Sequence, residues 1–283
     1  MRASSAMLGL SARTSAPVRL VLLDAFGTLL RPRIAPHLQY GEEAHKLGIE
    51  YDADKLAPAF KQAFKHLAAA HPSYAPLGPD AWWTRLIVRT FAECAPSASS
   101  SQVTGELAPR LLRRFASKEA YELFPETLEA LQALRALPPA RAPDVVLASN
   151  GDARIVAALR QLLAAHSAAH LLELRPGLRL SPRLTWDLRA SKPERAFFRR
   201  VLARVGAASE EQAEGEGERW DEMARQTLVV GDMQAEDYDG ARAAGTQVLL
   251  LDRNGTQRDV ESDVRIESLN EVALYVQQAN AHR

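Results

Sequence analysis

The sequence predicts an α/β protein with a Rossmann-like parallel-sheet core and an inserted α-helical cap domain. Three apolar runs, at residues 18–24, 145–150 and 227–232, each end on polar side chains. Runs without alternation are typical of strands buried on both faces, as in a parallel sheet. Helical patterns separate these runs, and strands that alternate with helices form parallel sheets. We therefore expect the three strand ends to meet at one edge of a single sheet.

Composition and charge narrow the class of protein. The 283 residues can hold a large core and a smaller second domain. Because 35 basic residues balance 35 acidic ones, no global charge attracts a polyanion, and we expect no nucleic-acid partner. No apolar run approaches the length of a membrane span, so we expect a soluble protein without a membrane partner. The single cysteine, Cys94, cannot form an internal disulfide, which fits a reducing compartment.

Residues 1–17 stand apart from the rest of the chain. They carry Arg2, Arg13 and four serines but no acidic residue, which fits either a disordered leader or a short mitochondrial transit peptide. The first strand begins near Val18, which leaves little room for a presequence and its cleavage site. We therefore favour the leader and expect a cytoplasmic or nuclear protein, with mitochondria as the alternative.

The residues after the first strand are expected to form the helical cap, at residues 34–120. A linker with two prolines, at 31–36, leads away from the sheet. A helix follows that Asp52 or Asp54 could cap, with apolar residues at spacings of three and four. Its apolar stripe consists of Leu56, Phe60, Phe64 and Leu67. Two further amphipathic helices are predicted at 81–91 and 103–115.

The core is expected to comprise residues 18–33 and 121–283. Its helices are predicted, in chain order, at 127–137, 155–169, from 191 onward, 239–245 and 266–278. A further buried strand is predicted at 248–251, whereas 178–190 has no clear pattern. Seven acidic residues between 209 and 222 indicate a solvated insertion.

Polar side chains at the strand ends form the candidate site. Asp24, Ser149 and Asp232 each follow a buried strand, and ligands in open α/β sheets bind beyond the carboxyl ends of the strands. Lys192 lies at a loop-to-helix junction from which it can reach them. Asp237, five residues after Asp232, adds a further negative charge. Carboxylates this close repel each other unless a cation lies between them, so a hard divalent ion such as Mg²⁺ is expected, together with substrate phosphate.

Four motifs, in this order, resemble those of the haloacid dehalogenase-like hydrolase superfamily. They are Asp24-Ala25-Phe26-Gly27-Thr28, Ser149-Asn150, Lys192-Pro193, and Gly231-Asp232 with Asp237. Each is weak alone, but their order and spacing make the resemblance specific over residues 18–274. The helical insertion is similar to the cap of the subfamily in which the cap precedes the second motif. Within it, the Tyr40, Gly48-Ile49 and Trp82-Trp83 stretches look most like the subgroup of haloacid dehalogenase-like hydrolase domain-containing protein 3.

This resemblance implies a Mg²⁺-dependent hydrolase in which Asp24 attacks phosphorus and forms an aspartyl-phosphate. The catalytic residues would be Asp24 and Lys192. The metal would be held by Asp24, the backbone carbonyl of Phe26, Asp232 and Asp237, the last through water or by holding Lys192. The phosphate would be bound by Thr28, Ser149, Asn150 and Lys192. We expect a small phosphorylated metabolite as the substrate, and a monomer or weak homodimer.

Phe26 departs from the family pattern and leaves three functions open. Phosphatases of the family usually carry Asp here, which protonates the leaving oxygen, and losing such an acid costs ~10²- to 10⁴-fold in rate. The first function is a phosphohydrolase with a good leaving group, or with His37 or His45 of the cap as the acid. The second is a 2-haloacid dehalogenase. Those enzymes resemble this chain in carrying an aromatic residue at the position of Phe26, but they usually lack an acidic motif like Gly231-Asp232. The third is a weakly active or inactive regulatory protein that binds phosphate and metal.

Two smaller expectations concern the region around the cap. Trp82 and Trp83 could line a substrate pocket, but adjacent aromatic residues on a helix usually place one ring in the core and leave the other partly exposed. Asp152 is expected to cap the helix that begins near Ala153.

Overall fold

The computed structural model describes residues 16–175, 178–179, 181–206 and 217–281. The strands, in chain order, are β1 (Leu20–Leu23), β2 (Leu30–Pro32), β3 (Tyr121–Leu123), β4 (Asp144–Ser149), β5 (Glu173–Arg175), β6 (Leu178–Arg179), β7 (Ser181–Leu184), β8 (Thr227–Gly231), β9 (Gln247–Leu251) and β10 (Arg265–Ile266). The α-helices are α1 (Pro36–Lys46), α2 (Ala53–Ala70), α3 (Pro79–Cys94), α4 (Ser100–Gln102), α5 (Ala108–Arg114), α6 (Thr127–Arg135), α7 (Ala153–Ala165), α8 (Thr185–Leu188), α9 (Arg195–Gly206), α10 (Gly217–Arg225), α11 (Gly240–Ala243) and α12 (Asn270–Ala279).

A parallel sheet lies at the centre of the protein. Its six strands follow the order β10-β9-β8-β1-β4-β7. Strand β1 pairs with β4 on one side and β8 on the other, so that Leu23 lies opposite both Leu147 and Val230. The carboxyl ends of the three strands therefore lie side by side, and the predicted Rossmann-like α/β fold is confirmed.

Helices cover both faces of this sheet. Successive residues of a strand point to opposite faces, and β1 follows this rule. Val21 and Leu23 belong to a hydrophobic cluster with α6, α7 and α12, whereas Leu20 and Leu22 pack with α9, α10 and α11. Burial on both faces explains why the strand carries apolar residues without alternation. None of the helices in the described ranges is long and apolar enough to span a bilayer.

Helices α1–α5, called the cap below, lie between β2 and β3 and have a hydrophobic cluster of their own. That cluster includes Tyr40, Leu56, Leu86 and Leu107. Helix α2 begins after Asp52, whose carboxylate accepts hydrogen bonds from the N–H groups of Asp54 and Lys55. The chain enters and leaves the cap through an antiparallel ribbon in which Pro32 of β2 pairs with Tyr121 of β3.

Several predicted helix boundaries were wrong. The helix expected from residue 191 begins at Arg195, because residues 191–194 form a turn closed by a hydrogen bond from Glu194 N–H to the Ser191 carbonyl (2.8 Å). The final helix begins at Asn270, because Ile266 pairs with Leu251 at the sheet edge. The helix expected to reach residue 169 ends at Ala165.

Two segments without an apolar pattern contain regular structure. Residues 181–184 form β7, which pairs with β4 at the edge of the sheet, where a proline is tolerated. The acidic stretch at 209–222 was predicted to be a solvated insertion, but its end belongs to α10, which buries Ala224 against the sheet. The rest of that stretch, through residue 216, lies outside the described residues.

Candidate active site

The first strand ends on Asp24, which is buried at the sheet edge. Its N–H donates to the Val230 carbonyl (2.9 Å), so the neighbouring strand holds the backbone at this position. The chain then turns at Gly27, whose φ is +73°, a conformation that favours glycine. A Cβ atom at this position would overlap the carboxylate of Asp232. The glycine therefore allows the loop that carries Asp24 to approach the loop that carries Asp232.

Lys192 lies between two of the carboxylates. Its Nζ is 2.6 Å from Asp24 Oδ1 and 2.5 Å from Asp237 Oδ1, and all three side chains are buried. Oxygen atoms of Asp24, Asp232 and Asp237 lie within 4.8 Å of one another. This group, called the site cluster below, therefore brings three carboxylates together with one ammonium group.

Burial and the neighbouring charges both shift the pKa values of the site cluster. Burial raises the pKa of Asp24 to about 7, helped by Asp237 and Asp232 and opposed by Lys192. Burial also raises the pKa of Asp232. Burial alone would lower the pKa of Lys192, but the carboxylates of Asp24 and Asp237 raise it above its ordinary value.

A divalent cation fits this donor set. Carboxylate oxygens are the ligands that hard cations such as Mg²⁺ prefer. Additional positive charge would favour the ionised form of Asp24, which is the form that can act as a nucleophile. The residues present therefore fit the metal ion that the sequence predicts.

Other predicted site residues hold the site cluster in place. Thr28 Oγ1 donates to Asp232 Oδ1 (3.0 Å). The Asn150 amide donates to the Lys192 carbonyl (2.9 Å) and accepts from the Lys192 N–H (2.8 Å), so Asn150 positions the loop that carries Lys192. Ser149 is buried at the end of β4 and lines the cavity described below. The phosphate contacts of Thr28, Ser149 and Asn150, and the metal contact of the Phe26 carbonyl, stay predictions.

The structure adds two residues that the sequence analysis did not single out. Glu236 lies beside the cavity and accepts from the Asn150 amide (2.8 Å). Arg253 donates to the carbonyls of Gly27 and Thr28, pairs with Glu126 (2.7 Å) and thereby holds the nucleophile loop. Arg253 follows strand β9, so the strand-end argument applied to residues 248–251 would have found it.

A cavity of about 630 Å³ extends from the site cluster into the cap. Phe26 lines it beside Asp24, and its ring packs edge to face on Tyr121, with centroids 5.4 Å apart. Of the described cap histidines, His71 lines the cavity, whereas His37 and His45 do not. The expectation that one of those two supplies the acid is therefore not supported, since α1 contributes Pro36 and Tyr40 to the cavity wall but neither histidine.

The two adjacent tryptophans line the cavity and also differ in burial, so both interpretations offered for them apply. Trp82 is buried in the cap and Trp83 is half-buried, and both line the cavity. Trp83 Nε1 donates to Asp152 Oδ2 (3.0 Å). Asp152 also caps α7 through the Arg154 N–H (3.0 Å), as predicted. One carboxylate therefore links the cap to the first turn of a core helix.

Comparison with known proteins settles the family. The model for haloacid dehalogenase-like hydrolases matches residues 18–245. The chain belongs to the haloacid dehalogenase-like hydrolase family. A relative within this family is haloacid dehalogenase-like hydrolase domain-containing protein 3 of Danio rerio, which is 28% identical over 92% of this chain and 97% of its own length. The resemblance inferred from the motifs is confirmed.

Solved structures of haloacid dehalogenase-like hydrolases share the fold. The HAD hydrolase YfnB from Bacillus subtilis, solved bound to magnesium, has a TM-score of 0.63 and 16% identity, covering 92% of this chain and 99% of its own. A 2-haloacid dehalogenase from Pseudomonas syringae pv. Tomato has a TM-score of 0.57 and 19% identity, covering 91% and 98%. The same fold thus occurs in a magnesium-bound hydrolase and in a dehalogenase.

Proposed function

We propose that this hydrolase is a Mg²⁺-dependent phosphohydrolase that acts on a small phosphorylated substrate through an aspartyl-phosphate on Asp24. The observation that carries the proposal is the site cluster, in which carboxylate oxygens of Asp24, Asp232 and Asp237 lie within 4.8 Å of one another. Displacement of a halide needs no cation, so a dehalogenase would have no use for this excess of negative charge. Phosphoryl transfer does need a cation, because the transferring group carries negative charge of its own.

Each side chain of the site cluster has a separate role in this reaction. Asp24 supplies the oxygen that attacks phosphorus, and Lys192 holds that carboxylate and offers positive charge to the phosphate. Asp237 fixes the ammonium group from the opposite side. Mg²⁺ would be held by Asp24, Asp232 and the Phe26 carbonyl, and it would offset the charge of the phosphoryl group.

Phe26 limits the range of substrates. A phenylalanine cannot donate a proton to the leaving oxygen, so the leaving group must depart as a stable anion or take its proton from elsewhere. Phosphoanhydrides, acyl phosphates and esters of acidic alcohols meet the first condition. His71 is the described cap histidine placed to meet the second, because it lines the same cavity.

Dehalogenation is the second candidate, and Phe26 is the observation that favours it. An aromatic residue beside the nucleophile suits the apolar, halogen-bearing carbon of a 2-haloacid. The two reactions differ in their metal requirement and in their product, so a single set of assays separates them.

The test is hydrolysis of acetyl phosphate, p-nitrophenyl phosphate and 2-chloropropionate by the purified protein, with Mg²⁺ and with EDTA, using Asp24→Asn as the blank. Mg²⁺-dependent phosphate release that is absent from the variant is the expected result. Chloride release that EDTA does not change would identify a dehalogenase instead. Inactivity on all three compounds would contradict both proposed activities and favour a phosphate-binding regulatory protein.

A further inference from the structure

A row of aromatic rings lines the cavity from the nucleophile to the far side of the cap. It starts at Phe26 and continues through Tyr121, Phe115, Tyr40, Phe60 and Phe64 to Trp83. Neighbouring rings lie 5.2–6.3 Å apart, measured between centroids. We call the part of the cavity lined by these rings the aromatic chamber.

Several of these rings keep surface that the described protein does not cover. Phe64 is 42% exposed, although it belongs to the apolar stripe of α2. Phe26, Phe60, Phe115 and Trp83 are half-buried. Edge-to-face and offset contacts leave ring faces available to a further flat group. A planar apolar ligand in the chamber would cover these surfaces.

The chamber offers little to a second charged group. The described cations that line the cavity are Arg154 and Lys192. Lys192 is held by the site cluster, and Arg154 pairs with Asp152 (2.6 Å) at the cap end. The Trp83 N–H donates to the same Asp152, so that carboxylate is occupied as well. A second phosphate or a carboxylate would therefore find no unpaired lysine or arginine among the described residues of the cavity wall.

We propose that the chamber binds the leaving group of an aryl phosphate, the phosphate monoester of a phenol with one or two rings. This inference rests on the proposed function, since the phosphate itself must lie at the site cluster. The whole cavity, about 630 Å³ from the site cluster to the cap, suits such a phosphate ester, because small-molecule pockets are mostly apolar clefts of about 300–1,000 Å³ with a few polar groups.

The same substrate class explains how a site without an acid at Phe26 can work. A phenol ionises near pH 10, as tyrosine does. The alcohol that corresponds to an alkoxide leaving group has a pKa near that of water, about 15.7. Asp24 attacks phosphorus, the bond to the aryl oxygen breaks, and the phenoxide leaves with the electron pair and takes a proton from water. A water molecule then attacks the aspartyl-phosphate and releases inorganic phosphate and the free Asp24 carboxylate.

The experiment compares three substrates and two variants. In the wild-type protein, 2-naphthyl phosphate tests the chamber, cyclohexyl phosphate has a ring but a poor leaving group, and acetyl phosphate needs no chamber. Ala68→Trp fills the chamber, because Ala68 lines the cavity from α2. Ala69→Trp is the matched control, since Ala69 is exposed on the same helix and outside the cavity lining.

We expect kcat/KM for 2-naphthyl phosphate to exceed that for cyclohexyl phosphate by at least about 10²-fold. Ala68→Trp should lower the value for 2-naphthyl phosphate by about tenfold and leave acetyl phosphate within about twofold, whereas Ala69→Trp should change neither. Equal rates on the two ring substrates, or equal effects of the two variants, would overturn the inference while leaving the phosphohydrolase intact.

Binding of the unreactive 2-naphthylmethylphosphonate, measured by calorimetry, gives a readout that does not depend on turnover. Tight binding that Ala68→Trp weakens and Ala69→Trp preserves supports the chamber even if acetyl phosphate is not hydrolysed, a result that would overturn only the proposed reaction. Absence of binding by the wild-type protein would overturn the inference itself.

Discussion

Two ionic clusters in the described part of the protein differ in their charge balance. In the site cluster, one ammonium group faces three carboxylates. In the second, called the cap cluster, the buried carboxylate of Glu43 lies 2.7–3.1 Å from Lys46, Arg110 and Arg114. The cap cluster joins α1 to α5, and three cations surround its buried acid.

The pKa values of the two acids move in opposite directions for this reason. Burial acts to raise the pKa of Glu43, but hydrogen bonds from Lys46, Arg114 and Arg110 lower it to about 2. Burial raises the pKa of Asp24 to about 7, and one lysine does not reverse that shift. A buried acid surrounded by cations favours the folded state in its ionised form, whereas a buried acid beside further carboxylates is prepared for a ligand of positive charge.

The largest effect is expected from Asp24→Asn, which removes the nucleophile from the site cluster and keeps its shape. Mg²⁺-dependent phosphate release from acetyl phosphate should fall by at least about 10³-fold. Asp239→Asn is the control and should retain activity, because Asp239 is an exposed aspartate at the end of the helical segment 234–239 that also carries Asp237. Turnover that survives Asp24→Asn would remove Asp24 from the mechanism.

Phe26→Asp adds an acid beside the nucleophile. Hydrolysis of cyclohexyl phosphate should rise by about 10²-fold, because a carboxylic acid can protonate the alkoxide, whereas acetyl phosphate should change little. Phe26→Leu keeps the position apolar and serves as the control in the same steady-state assays. Equal gains on both substrates would argue against the absence of an acid as the limiting factor.

Glu43→Gln tests the cap cluster. Removing the acid leaves Arg114 without its buried partner, so unfolding in urea should show a loss of about 2 kcal/mol, less than for a fully buried pair because Lys46 and Arg110 reach solvent. Glu42→Gln alters an exposed pair with the same Arg114 and should cost at most about 0.5 kcal/mol. Similar losses in both variants would show that the cap cluster is not a stabilising unit.

The cap cluster should also make stability depend on pH. The folded pKa of Glu43 lies below the ordinary value of 4.5, so its contribution is present above pH 4.5 and is lost as pH falls toward about 2. In that window the wild-type free energy of unfolding should fall more steeply than that of Glu43→Gln, by up to about 1.4 kcal/mol per pH unit. Parallel curves in urea titrations would contradict the assignment.

The smallest expected effect concerns the stability of the site cluster without metal. In EDTA at neutral pH, Asp24→Asn should stabilise the protein by about 1 kcal/mol, because it removes one of three repelling carboxylates. Thermal unfolding measures this, and the opposite sign is expected for Glu43→Gln. A loss of stability in both variants would remove the contrast between the clusters.

The strand ends were predictable from the sequence because they depend on local pattern and on one topological rule. Asp24, Ser149 and Asp232 follow apolar runs, and the carboxyl ends of parallel strands share an edge. The cap cluster was not predictable, since Glu43 meets Arg110 and Arg114 only through the packing of α1 on α5. Charged residues on helix surfaces look alike until their neighbours are known.

Helical spacing also predicted the apolar stripe of α2. It did not predict which residues of the stripe are buried in the cap and which face the cavity. Leu56 and Leu67 are buried in the cap, whereas Phe64 faces the chamber and remains 42% exposed. The period of a helix shows which residues share a face. What lies opposite that face depends on the tertiary structure, which is why the helical period alone does not predict the aromatic chamber.

The ribbon of β2 and β3 has a consequence for how this architecture can be rearranged. Because Pro32 and Tyr121 lie directly opposite each other, the cap enters and leaves the core at adjacent points. A hairpin turn of about two residues is enough to join two antiparallel strands that face each other in this way. A short turn between β2 and β3 could therefore replace the whole cap while the path of the sheet that carries Asp24 stays the same.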